Sequence, residues 1–154
     1  MAAIDELVKV ENAQEKYSFS QQDHIFKSQL DQRGISEQDT QAKFQFIHLN
    51  GAHVPFIYDE NMNIIDEEEG TYEQTMLAVL SGAGNYVEKL RGSGAYDNTV
   101  LIIMADHGYN GSLDESGEEA WMRQCPLLLI KGMGETHDTM QISQAPISFE
   151  DLQE

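Results

Sequence analysis

Apolar side chains recur in two rhythms along this chain, and the rhythms mark out its elements. Between Gln22 and Arg33, Ile25, Phe26 and Leu30 fall at helical spacing and Gly34 follows as a stop, which predicts one surface helix. From Tyr72 to Leu90 the positions Met76, Leu77, Leu80, Ala83, Val87 and Leu90 lie three or four apart, one face of a longer helix closed by Arg91-Gly92-Ser93-Gly94. Gly82 and Gly84 interrupt its middle. Each costs about 1 kcal/mol relative to alanine, so close packing against a sheet or a local kink is expected there.

The other rhythm is a short, unbroken apolar run. Phe44–Leu49, rich in aromatic and branched residues, predicts a buried strand ended by Asn50-Gly51. Val100–Ala105 is six apolar residues in a row, the pattern of a strand covered on both faces in a parallel sheet. Pro126–Ile130 predicts a third strand, ended by Gly132 and Gly134. The remainder is polar: an irregular stretch to Gln22, a short turn or helix at Ser36–Gln41, and a loop over Tyr109–Glu119. Trp121 and Met122 return toward the core, and a last helix is expected around Ser148–Leu152. Strands alternating with helices are the grammar of an α/β layered sheet, for which three strands are few. On sequence character, residues 1–43 form a polar, helical segment and 44–154 the α/β portion.

Charge narrows the partners. Among 154 residues, 27 acidic and 9 basic side chains leave a formal −18, which repels phosphate backbones and anionic lipid surfaces and argues against nucleic acid. A solubilising surface is the plainest reading; a metal-loaded protein and a docking face for a basic partner are the alternatives. The acidic run Asp66–Glu69 lacks the alternating ligand spacing of a calcium loop and reads as a solvated loop. The single cysteine, Cys125, excludes an internal disulfide framework and is expected to be buried. No apolar run approaches the ~20 residues that span a bilayer.

Candidate chemistry gathers at two strand ends. Asp106-His107-Gly108 follows the apolar run directly, where ligands of open α/β sheets bind. A carboxylate beside an imidazole suits a divalent cation, with a capping Asp and a surface His as the structural alternative. His53 lies beyond the preceding strand in Asn50-Gly51-Ala52-His53-Val54-Pro55-Phe56, where it either binds or protonates an anionic group or simply faces solvent. If the strands are neighbours, all three residues share one rim. His48, inside the predicted strand, is expected to support the core or the site; His24 and His137 have no partner at ligand spacing and are expected to be structural. No P-loop and no Gly-x-Ser-x-Gly elbow is present.

Taken in order, these segments resemble enzymes of the sulfatase and alkaline phosphatase superfamily. Phe46–Phe56 is similar to their strand leading into a His-x-Pro loop. Leu90–Thr99 followed by Val100–Gly108 resembles their block of helix, short turn, Asn-Thr, apolar strand and Asp-His-Gly. Pro126–Gly132 resembles the strand after it, and Ile142–Leu152 the segment before a Pro-Thr helix start. The matches cover roughly two thirds of the chain. The resemblance implies a partial alkaline-phosphatase-like layered sheet with helices on both faces. It also implies metal-assisted transfer or hydrolysis of a phosphate ester (phosphoglycerol or phosphoethanolamine type) or a sulfate ester.

Asp106 and His107 would ligate a divalent metal ion (Mn, Ca, Zn or Mg), and His53 would contact the substrate's anionic group. The lipoteichoic-acid-synthase-like branch is preferred. The family's nucleophile and remaining acidic ligands have no counterpart in Met1–Lys43, so a C-terminal piece of a longer enzyme is expected, inactive alone. That enzyme would be extracytoplasmic and held at a membrane only through segments not in this sequence. The alternative is a non-catalytic interaction module that retains the fold; an acidic decoy for a basic protein is a third reading.

Overall fold

A computed structural model describes residues 21–35, 42–108, 125–148 and 150–151. The expectations for the stretch before Gln21, for Ser36–Gln41 and for Tyr109–Glu119, Trp121 and Met122 lie outside these residues, as does most of the expected last helix. Within them the protein is a mixed α/β structure of two helices and one small two-stranded sheet: α1 (Gln22–Arg33), α2 (Tyr72–Ser93), a 3-10 turn (Tyr96–Asn98), β1 (Leu101–Met104) and β2 (Leu128–Lys131).

Helix α1 matches its predicted bounds because its signals are local. Gly34 follows it at φ 67°, and the Gly34 N–H donates to Leu30 O. Helix α2 begins at Thr71, whose hydroxyl accepts from the Gln74 N–H while the Gln74 side chain accepts from the Thr71 N–H. This reciprocal capping box stabilises the start by about 1 kcal/mol. The helix runs through Ser93, three residues beyond the expected Leu90, and Gly94 ends it in the left-handed conformation at φ 81°.

The core forms where α2 meets a turn that precedes it. Tyr58 and Ile64 make an antiparallel bridge, and Ile65 N–H donates to Ile57 O at 2.9 Å. The Asp59 carboxylate ties the bend by accepting from the Asn61 and Asn63 amides at 2.8 and 2.9 Å. That bend drives Met62, at φ 62°, inward. Tyr58, Met62 and Ala78 are buried together, with Ile57 and Val79 packed against them. Helix α1 lies on α2 through the Phe26 and Tyr86 rings, 6.5 Å apart, and through Asp31, which accepts from Asn85 Nδ2 at 2.8 Å. It therefore packs across the compositional division at residues 43 and 44.

Three expectations about the sheet are corrected. Phe44–Leu49 joins no strand ladder, and Phe44 and Phe46 stand 84% and 68% exposed. An apolar run encodes the willingness to pair, not the presence of a neighbour, and no described strand lies beside it. The apolar run after Val100 forms β1, but it pairs antiparallel with β2, in the register Leu101↔Lys131 to Met104↔Leu128. Nor is β1 covered on both faces: Ile102 and Met104 are exposed while Leu101 and Ile103 are half-buried. Lys131 then fastens the sheet to the end of α2, its Nζ donating to Tyr96 O at 2.5 Å and Thr99 O at 3.0 Å and lying 4.4 Å from the Tyr96 ring centre. Among the described residues five apolar side chains are buried and fifteen large ones are exposed, so much apolar surface remains uncovered.

Candidate functional site

Strand β1 points its carboxyl end at Asp106 and His107. Ala105 N–H donates to Leu127 O at 3.0 Å, which extends the pairing one residue past the strand and fixes where the turn begins. Asp106 Oδ1 then accepts from the His107 N–H at 3.0 Å, leaving Oδ2 uncommitted to that turn. His107 Nδ1 lies 2.6 Å from Gly108 O. A carbonyl oxygen only accepts, so Nδ1 carries the proton and Nε2 presents its lone pair. Nε2 is 3.9 Å from Asp106 Oδ2, and the side chains are 45% and 90% exposed respectively.

This arrangement fits two donors of one cation. Donors 3.9 Å apart can share an ion at bond lengths of about 2.1–2.4 Å. The Nδ1–H to carbonyl bond is the usual way a ligating imidazole is oriented. Two donors are half of the about four that hold a divalent ion tightly. Among the described residues, no three His, Cys, Asp or Glu side chains are grouped to hold a metal ion.

His53 is held by a contact of its own. It is exposed, its Nδ1 is 2.6 Å from Val54 O, and its Nε2 is therefore the free nitrogen. Among the described residues no hydrogen bond or ion pair joins it to Asp106 or His107. Asp106 and His107 thus contact each other as sequence neighbours, while the contacts His53 makes are within its own loop. That loop is anchored at its base: Asn50 and Gly51 N–H donate to the Asp23 carboxylate at 2.7 and 3.0 Å.

The remaining candidates sort by contact. His48, expected to support the core, is exposed, 6.2 Å from the Phe46 ring; without a ladder, nothing buries it. His24 is structural as expected, its Nδ1 2.8 Å from Met62 O. His137 has a carboxylate partner after all, Glu135 Oε1 at 2.9 Å. The turn at Gly132–Glu135 carries that glutamate back on itself, Gly132 N–H donating to Glu135 Oε2 at 2.6 Å. These backbone and imidazole partners hold the Glu135 carboxyl below its ordinary value. An Asp/Glu-x-His spacing beside a Gly-x-Gly turn is the signal that finds this pair. Cys125 is exposed rather than buried, because it precedes β2, which starts three residues later. The acidic run Asp66–Glu69 is solvated, as expected. A cleft of about 340 Å³ at the end of α2 is lined by Arg91, Gly94, Tyr96 and Asp97, none of them a predicted site residue.

No described helix is long and apolar enough to cross a membrane. Comparison with family models, with curated proteins and with solved structures finds no match to the chain.

Proposed function

We propose that this chain contributes part of the metal site of a sulfatase-like enzyme with an alkaline-phosphatase-like layered sheet. That enzyme transfers or hydrolyses a phosphate ester of phosphoglycerol or phosphoethanolamine type, or a sulfate ester. One observation carries the reading: a carboxylate oxygen and an imidazole lone pair stand 3.9 Å apart at the carboxyl end of an apolar strand. The Asn-Thr, apolar strand and Asp-His-Gly order in the sequence supports it. So does the exposed apolar surface of Phe44, Phe46, Ile102, Met104 and Ile130, which suits a sheet continued by further strands.

In this reading Asp106 Oδ2 and His107 Nε2 hold a divalent cation, Mn, Ca, Zn or Mg, together with donors beyond this pair. Such an ion supplies charge neutralisation at the transferring group. Its positive charge also answers a Coulomb problem, since a chain of net −18 otherwise repels an anionic ester. Gly108 O orients the His107 ring, and the Asp106 backbone turn orients the carboxylate. His53 contacts the anionic group of the ester through its ring. The nucleophile lies outside this residue set, so the chain alone is expected to turn over no ester.

The test is turnover of a phosphodiester and an aryl sulfate by the enzyme carrying this segment, with Asp106→Ala, His107→Ala and His53→Ala. The first two are expected to lose activity by at least about a hundredfold, with circular dichroism unchanged. His53→Ala is expected to raise KM more than it weakens metal binding. Normal turnover by Asp106→Ala or His107→Ala rejects the assignment.

A further inference from the structure

Asp23 is a fully buried charged side chain, 0% exposed, and the site above makes no use of it. It sits in the first turn of α1, where the helix dipole favours a carboxylate, yet no side-chain bond caps that helix. Its oxygens are spent elsewhere. Oδ1 accepts from Asn50 N–H at 2.7 Å and Oδ2 from Gly51 N–H at 3.0 Å. One carboxylate thus holds two consecutive amides at the base of the loop that carries His53. Gly51 is at φ 70°, in the left-handed region, so the chain turns at the clamped pair and reaches His53 two residues later.

The next residue fixes the opposite wall. His24 Nδ1 meets Met62 O at 2.8 Å, and His24 N–H donates to the Tyr58 hydroxyl at 3.4 Å. The first turn of α1 is therefore seated on the buried core and grips the loop from a rigid support.

We propose that Asp23 is a positioning residue for the anion-binding loop: its ionised carboxylate latches Asn50 and Gly51 and so sets where His53 presents its imidazole, and protonating Asp23 releases the latch. The importance of His53 here rests on the function proposed above; the latch itself rests on the geometry. A proton on either oxygen removes the negative charge and leaves that oxygen a much weaker acceptor, which loosens the bond it makes to its amide. Burial pushes the Asp23 carboxyl above its ordinary value, against the pull of the two amides and of the His48 charge. The Tyr58 hydroxyl faces the same carboxylate and is pushed up, chiefly by its own burial and also by that negative charge. Among the described residues, His24, beside Asp23 on α1, is a further titratable neighbour.

Solution NMR on the whole chain tests this in three arms. In the wild type, the Asn50 and Gly51 amide protons and the His53 ring are expected to shift with the Asp23 carboxyl carbon, at one midpoint above 3.8. In Asp23→Asn, which offers one acceptor where two donors need it, hydrogen exchange at Asn50 and Gly51 should rise about ten- to a hundredfold. The His53 ring should lose the acid transition. Amides and a His53 ring that ignore both the Asp23 midpoint and the substitution overturn the latch; should Asp23→Asn fail to fold, the wild-type titration decides alone. The third arm adds inorganic phosphate. A His53 ring unmoved by phosphate, with the latch signals as expected, leaves the latch standing and removes the anion-binding reading.

Discussion

Gly82 and Gly84 share one helix and differ in what lies outside it, so alanine at each isolates a single packing contact. Replacing glycine by alanine inside a helix gains about 1 kcal/mol. At Gly84, which is exposed, a new Cβ meets nothing within 4 Å, and Gly84→Ala should keep that whole gain. At Gly82 the new Cβ falls 2.9 Å from Met62 Cε, well inside the about 3.5–4.0 Å that two carbons prefer. Met62 is flexible at its tip, but it is 1% exposed and packed against Tyr58 and Ala78, so a shift of its methyl presses on a buried cluster. Overpacking of that kind costs about 1–3 kcal/mol. Gly82→Ala should therefore lie between neutral and about 2 kcal/mol destabilised, below Gly84→Ala by the overpacking cost. Urea unfolding followed at 222 nm reads this as a lower midpoint for Gly82→Ala than for Gly84→Ala, by about 0.5–1.5 M at a slope of about 2 kcal/mol per M. Met62→Ala, about 2–5 kcal/mol in the wild type, should cost measurably less in the Gly82→Ala background, because the two residues share one contact. Equal midpoints for the two alanine variants, or strict additivity with Met62→Ala, would refute the packing argument.

Two further outcomes are expected. Thr71→Ala removes the capping box and should cost about 1 kcal/mol, while Thr71→Ser keeps it; urea midpoints separate the two. The Asp31 carboxyl is held below its ordinary value, first by the Lys27 hydrogen bond and then by Asn85. Its contribution is therefore complete above 3.8 and is lost as pH falls through the depressed value. Asp31→Asn should flatten that acid limb of stability by no more than about 1 kcal/mol, because the pair is exposed.

What was legible in the sequence was what neighbours along the chain decide. The helical period from Ile25 to Leu30 and from Met76 to Leu90 requires no distant partner, and both helices stand where it puts them. Of the two glycines in the second helix, Gly82 marks a close approach, to Met62 rather than to a sheet, while Gly84 meets nothing within 4 Å. Pairing was illegible. Phe44–Leu49 and Val100–Ala105 carry the same apolar signal, and only the second has a described partner, which runs antiparallel. The Asp106-His107 pair could be read because adjacent residues share one strand end. Asp23 could not: an acid in a first turn reads as helix-dipole chemistry, and only the fold reveals that it is buried on a loop 27 residues away. His137 was passed over because its partner sits two residues back, across a turn.

The claim on which the function depends is that Asp106 and His107 grip one cation, and paramagnetic broadening by Mn²⁺ on the 154-residue chain addresses it directly. As Mn²⁺ is added, the His107 ring and the Asp106 and Gly108 amides should broaden before the amides of Asp66–Glu69, and Asp106→Ala should abolish that preference. Broadening that starts in the acidic run, with positions 106–108 responding no sooner than any other exposed carboxylate and unchanged in Asp106→Ala, would contradict it.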